Sequence, residues 1–366
     1  MTSIRDARAQ MQRFESRIFD GPEYSLQGRW DPQARSVWEL VTRQLEQSLP
    51  EITEANVPKI RKMSATDRLG WPAEHFEQID RCETSVLTVD GARFGSFENR
   101  SLEIRVHVPK SGVESGSSGT KRSGLVFYHG GAFVGGRAAD EDPWASRLAA
   151  DCDIVVFNVE FRNAPEARAP QGILDCYAAL RCVASELAEQ FQVDEGRIGI
   201  YGISSGGYLA AGVAHELARR DESSLVKLVI ADVPAVSDHW AVPAHKGEGG
   251  HEDSWHWSQQ EVEGWHGSHG HIETLKMLAT DWDRQVAERD PNLFPGAMGD
   301  ELMRKVPNHV VMTREFDFLR ADSELYACDL LRCRRLLDFY VRPGASHYTG
   351  PQEGVLEKVI ETYLKP

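Results

Sequence analysis

The stretch Arg197-Ile198-Gly199-Ile200-Tyr201-Gly202-Ile203-Ser204-Ser205-Gly206-Gly207 decides the fold. Its first five residues read as a buried strand, and the residues from Ser205 to about Arg219 carry apolar side chains at helical spacing. A strand therefore runs through a sharp turn directly into a helix. Gly202 and Gly206 flank one serine, so neighbouring backbone can pass close to it. In that context Ser204 stands clear of the sheet, and the free N–H groups of the helix start point toward it. This reads as a nucleophile rather than a plain structural turn. Ser205 is the adjacent decoy, since only Ser204 is centred between the two glycines.

Working outward, strands and helices alternate. Leu125-Val126-Phe127-Tyr128 and Ile154-Val155-Val156-Phe157-Asn158-Val159 are continuous apolar strands. A helix is expected from about Ile173 to Phe191, then a strand over Val226–Ile230. His309–Thr313 and Leu337–Val341 read as strands around a helix from about Ala321 to Arg335. Continuous apolar strands between helices imply a mostly parallel sheet covered on both faces. Two earlier stretches, Thr84–Val89 and Leu102–Val108, also read as strands, the second with strict alternation, and are expected to form an antiparallel edge. Asp90-Gly91 marks a turn between them. Ser111 to Ser123 is rich in Ser and Gly and reads as a surface loop.

A second glycine-rich segment, His129-Gly130-Gly131-Ala132-Phe133-Val134-Gly135-Gly136, directly follows a strand. Nucleophilic attack on a carbonyl builds negative charge on oxygen, and preset N–H donors stabilise it. Glycine lets the backbone bring such donors close. A phosphate-binding loop is the alternative, but neither a following Lys-Ser/Thr nor G-x-G-x-x-G is present. The expected donors are the amides of Gly130, Gly131 and Ser205, with His129 holding the loop in shape.

The chain has 366 residues, with 56 acidic and 41 basic side chains and a net charge of −15. That length suits one large α/β domain, or a core domain plus a lid. The acidic surface argues against nucleic acid or an anionic membrane as a partner. The start, Met1-Thr2-Ser3-Ile4-Arg5-Asp6, lacks the apolar run of an export signal, and no apolar run is long enough to span a bilayer. Cys82, Cys152, Cys176, Cys182, Cys328 and Cys333 form no C-x-x-C pair and read as reduced, buried thiols in a cytoplasmic protein.

Together the serine turn and the glycine loop resemble the hormone-sensitive-lipase-like branch of the α/β-hydrolases, which includes the family IV bacterial esterases. Three further blocks are similar to that branch: Glu160-Phe161-Arg162-Asn163-Ala164-Pro165-Glu166 continuing to Pro170 and Asp175, then Glu315-Phe316-Asp317-Phe318-Leu319-Arg320-Ala321-Asp322, then Gly344-Ala345-Ser346-His347-Tyr348. The resemblance implies Asp317 as the acid and His347 as the base of a triad with Ser204. Both follow expected strands, at the sheet edge where sites of such folds gather. The family has Asp or Thr where Ile203 stands, Ala where Ser205 stands, Gly where Ala132 stands and Pro where Phe318 stands. None of these departures removes a catalytic atom, though they leave the subfamily and its substrate open.

The implied architecture is an α/β-hydrolase fold, a mostly parallel eight-stranded sheet with a helical cap. Residues 1–80 would form an N-terminal cap segment, 81–237 the first part of the core, 238–290 a cap insertion and 291–366 the rest of the core. Trp240, Phe133 and Tyr348 are the expected substrate contacts. His266, His269 and His271 lie at close spacing, but the glycines among them oppose a helix and no acidic residue intervenes, so no metal is expected. No cofactor is expected either. The expected reaction is hydrolysis of short to medium acyl or aromatic esters through an acyl-enzyme. An amidase, an arylformamidase-like enzyme or a lactonase would use the same triad, and a non-catalytic ligand receptor would lack part of it. The expected partner is a small-molecule ester, with a homodimer allowed.

Overall fold

The computed structural model describes residues 4–11, 13–14, 30–48, 53–64, 80–95, 101–110, 121–237, 271–350 and 354–365. Its centre is an eight-stranded sheet in the order β1-β2-β4-β3-β5-β6-β7-β8. The strands are β1 (Cys82–Asp90), β2 (Ser101–Pro109), β3 (Arg122–Tyr128), β4 (Val155–Glu160), β5 (Val193–Ile203), β6 (Leu228–Asp232), β7 (His309–Phe316) and β8 (Leu336–Ser346). β1 pairs antiparallel with β2, and β2 with β4, forming the expected edge. From β4 to β8 every neighbouring pair is parallel. The Ser/Gly-rich loop ends earlier than its composition suggests. Ser123 is buried inside β3, and residues 111–120 lie outside the described set.

Side-chain alternation along each strand sorts the core onto two faces. Val126 and Tyr128 of β3 join one apolar cluster with α5 (Gln171–Cys182), α6 (Ser205–Arg219) and α9 (Arg320–Arg332). Leu125 and Phe127 join the other, with α4 (Asp142–Cys152) and the C-terminal α10 (Val355–Tyr363). Both faces are dry, which is why β3 reads as an unbroken apolar run. α5 continues through a π-helical turn, Val183–Leu187, into Ala188–Gln190, close to the single helix expected there. All six cysteines are free, and five of them are buried.

Among the described residues, α1 (Ile4–Met11), α2 (Pro32–Ser48) and α3 (Val57–Ser64) precede the sheet. α1 buries Ala7 and Met11, and Cys328 Sγ of α9 donates to Gln10 Oε1 at 2.9 Å. Beside α2, the Asp31 amide donates to Gly344 O at 2.9 Å, and Trp30 stacks on Phe316 at 4.0 Å between ring centroids. Of the stretch 238–290, residues 238–270 lie outside the described set. The remainder forms α7 (His271–Leu278) and α8 (Trp282–Glu288).

Two histidines sit deep in the larger cluster. His309 Nδ1–H donates to Pro307 O at 2.8 Å, and its Nε2 accepts from the Tyr326 hydroxyl at 3.1 Å. His215 meets Tyr326 edge-on, with 6.3 Å between centroids, and neither ring nitrogen has a hydrogen-bond partner among the described residues. Burial pushes both imidazoles down, His309 to about 4, so both are neutral when folded. Unfolded histidines take up protons near pH 6.5. The stability from these sites is therefore full above that pH and is lost as pH falls toward 4, by on the order of 3 kcal/mol for His309 alone. We expect the thermal midpoint to drop over that window. His215→Phe, which fills the same space without a titrating group, should flatten the drop. An identical pH dependence in wild type and variant would contradict this assignment.

Candidate active site

The turn after β5 holds Ser204 at φ 57°, ψ −119°, a left-handed backbone that an L-residue adopts only under constraint. Its N–H donates to Asp232 O of β6 at 2.9 Å, and its carbonyl accepts from Tyr208 N at 3.1 Å as the first bond of α6. Glycine is required on both sides. A Cβ on Gly202 would lie 2.1 Å from Gly206 O, and one on Gly206 would lie 2.0 Å from Tyr128 O at the end of β3.

Ser204, Asp317 and His347 come together from three strand ends. The Ser204 hydroxyl donates to His347 Nε2 at 3.0 Å. His347 Nδ1–H reaches both Asp317 oxygens at 3.0 Å. Asp317 is buried and also accepts from Leu319 N at 2.7 Å, which fixes its carboxylate plane. The imidazole side chain is 13% exposed, enough for a reacting group to approach from one side. This arrangement can strip a proton from a serine hydroxyl and stabilise the imidazolium that results.

The glycine loop packs against the same turn. A Cβ on Gly130 would lie 3.5 Å from Ser204 Cβ, so the loop backbone is at contact distance from the serine. Gly131 has φ 144°, and its carbonyl accepts from Val134 N at 3.2 Å and Gly135 N at 2.8 Å. Ala132 and Phe133 follow at φ 52° and 67°. His129 stays out of the serine–histidine–aspartate chain. Its Nδ1–H donates to Gly130 O at 2.7 Å, and its ring stacks on Phe161 at 4.2 Å. Ser205 opens α6, so its amide is one of the helix's unpaired leading N–H groups in geometry.

A chain of aromatic contacts leads from the glycine loop to His347. Phe133 meets Tyr208 edge-on at 5.2 Å and lies 6.3 Å from His271. His271 is 5.8 Å from Phe318, whose ring is 4.6 Å from His347. Tyr348 stands edge-on beside His347 at 5.7 Å. Trp240 and the expected histidine group at 266 and 269 lie outside the described residues, and only His271 of that group is described.

Two arginines that sequence reasoning missed tie outlying helices to this region. Arg61 of α3 donates to Val134 O at 2.8 Å and Ala164 O at 3.2 Å, and pairs with Glu166 at 2.6 Å. Arg168 donates to Met277 O and Ala279 O at 3.2 and 2.8 Å, gripping the end of α7, and reaches Glu54 at 3.0 Å. Both act on main-chain carbonyls, a bond that leaves no pattern in side-chain types. Arg162 and Asp175, noticed only as parts of a motif, form a two-pronged pair at 2.8 and 2.9 Å under that segment.

Residues 125–349 match the alpha/beta hydrolase fold family. An arylesterase of Saccharolobus solfataricus is 28% identical over 240 residues, 64% of this chain and 68% of that protein. An arylacetamide deacetylase of Oryctolagus cuniculus is 34% identical over 156 residues, 42% of this chain and only 36% of the relative. The hyperthermophilic esterase of Pyrobaculum calidifontis superposes with a TM-score of 0.65 at 26% identity, covering 87% of this chain and 90% of that one. The family match leaves out α1–α3, β1, β2 and the C-terminal helix, and it runs from within β3 through β8.

A Cβ at position 131 would lie 2.0 Å from Gly135 O, and backbone must move to admit it. On the expectation that the Gly131 amide is an oxyanion donor, Gly131→Ala should displace it and lower kcat about 10²–10³-fold, with KM nearly unchanged. Steady-state kinetics on a chromogenic ester checks this, and a wild-type kcat would remove Gly131 from the site.

Proposed function

The chain belongs to the alpha/beta hydrolase fold family, in its hormone-sensitive-lipase-like branch, and from that premise we propose that it hydrolyses carboxylic esters through an acyl-enzyme on Ser204. The observation that carries the reading is the unbroken hydrogen-bonded chain from Ser204 Oγ to His347 to Asp317. His347 Nε2 takes the hydroxyl proton as Oγ attacks the ester carbonyl. The amides of Gly130, Gly131 and Ser205 receive the developing oxyanion. His347 then gives its proton to the departing alcohol, and Asp317 holds the imidazole tautomer throughout. Water repeats the cycle on the acyl-enzyme and frees the acid. No step calls for a metal or cofactor.

The rings of Phe133, Tyr208, His271 and Phe318 support short to medium acyl or aromatic esters as substrates, since flat apolar groups gain from edge and stacking contacts there. Tyr348 and Trp240 remain proposed contacts. The deacetylase similarity favours one second reading, an amide substrate for the same triad. An ester and amide pair with a common acyl group separates the two. In domain terms, the N-terminal helices and residues 238–290 would together form the cap, with Arg61 and Arg168 as its moorings.

Ser204→Ala should lose on the order of a millionfold in kcat, by analogy with other triads. Turnover of p-nitrophenyl esters measures it, and unchanged hydrolysis would end the mechanism. His271→Ala should cut the preference for aryl over alkyl esters of equal size by about two- to tenfold, the worth of one ring contact. A kcat/KM ratio unaffected by that change would place His271 away from the substrate.

A further inference from the structure

Directly beneath the site lies a pair of opposite charges that the proposed mechanism does not use. Asp232 ends β6 and Arg314 lies on the adjacent β7, and both side chains are fully buried. The Asp232 carboxylate accepts from both terminal guanidinium nitrogens, Nη1 and Nη2, the latter at 2.9 Å. It also accepts from the Tyr201 hydroxyl at 3.4 Å. We propose that this ion pair is a positioning device for the reaction, holding the Ser204 turn, the Asp317 turn and the His347 loop in mutual register.

Each segment has its own link to the pair. The main-chain carbonyl of Asp232 accepts the Ser204 N–H at 2.9 Å. The carbonyl of Arg314 accepts the Asp317 N–H at 3.3 Å. Arg314 Nε donates to Thr349 O at 3.1 Å, and Thr349 closes the turn around His347 through Ser346 O at 3.0 Å and Ser346 N at 3.2 Å. Arg342 anchors the same loop further on, at Gly350 O, so the loop does not depend on Arg314 merely to fold. Neither Asp232 nor Arg314 touches a reacting atom.

Stability alone does not explain such a pair. Burying two charges is expensive, and well-packed apolar replacements are often as stable or more so. Register is different, because a misplacement near 1 Å costs a reaction about a hundredfold. A fork that bonds two strands and a loop at once fixes that register, and an apolar contact leaves it free to slide.

The inference rests on the proposed triad, and its test separates the two. In Asp232→Leu/Arg314→Met both charges vanish together. We expect its thermal midpoint to match or exceed wild type while kcat falls about a hundredfold and KM moves less than threefold. Fluorophosphonate labelling of Ser204 should slow by the same factor. Arg314→Lys keeps the charge opposite Asp232 but cannot also reach Thr349 O. It should fold normally with kcat reduced about tenfold, and it decides the matter if the double variant does not fold. Wild-type kcat in either folded variant overturns the inference. Ser204→Ala, run alongside, must be inactive, and turnover there would sink the triad reading instead.

Discussion

Only glycine fits where the first turn of α6 crosses the end of β3. At Gly206 any Cβ would sit 2.0 Å from Tyr128 O and 2.6 Å from His129 O, both main-chain atoms that cannot swing aside. This approach brings the glycine loop that leaves β3 against the helix start that follows β5. Ser204 is carried over the top of that crossing with φ at 57°. Its strain is held by the Asp232 carbonyl on one side and the first helical bond on the other. The serine hydroxyl, the helix N-terminus and the loop amides converge because two backbones touch with no side chain between them.

The remaining groups reach the same place through sheet register. β7 and β8 pair in parallel beyond β6, and Asp317 and His347 each stand one residue past a strand end. A parallel sheet delivers its C-terminal ends to one edge, so residues far apart in sequence become neighbours. Packing on both faces then leaves little freedom for a strand to slip, since a shift of one residue would exchange the two clusters.

Much of this was legible in the residues. The serine turn, the glycine loop and the alternating strands point to the fold, and the sheet has the expected eight strands with β1 and β2 antiparallel at its edge. The elbow helix runs over Ser205–Arg219, as its apolar spacing indicates. Strand ends were less legible. β6 lies at Leu228–Asp232, two residues beyond the apolar run at 226–230, because its hydrogen bonds to β5 and β7 set its limits. The C-terminal helix over Val355–Tyr363 has clear amphipathic spacing that could have been read. Other features leave no sequence pattern. Arg61 and Arg168 bond main-chain carbonyls, and the partnership of Asp232 with Arg314 exists only because β6 and β7 are neighbours. Phe318, noted only as standing where a proline is usual, turns out to press against His347.

The central claim is that one serine, and no other residue, carries the acyl group. The direct measurement is covalent capture: treat the protein with a fluorophosphonate, digest it, and map the adduct by mass spectrometry. A single adduct per chain on Ser204 is expected, and it should be prevented when a competing ester is present. An adduct on the neighbouring Ser205, or no adduct under conditions where the protein turns over esters, would contradict it.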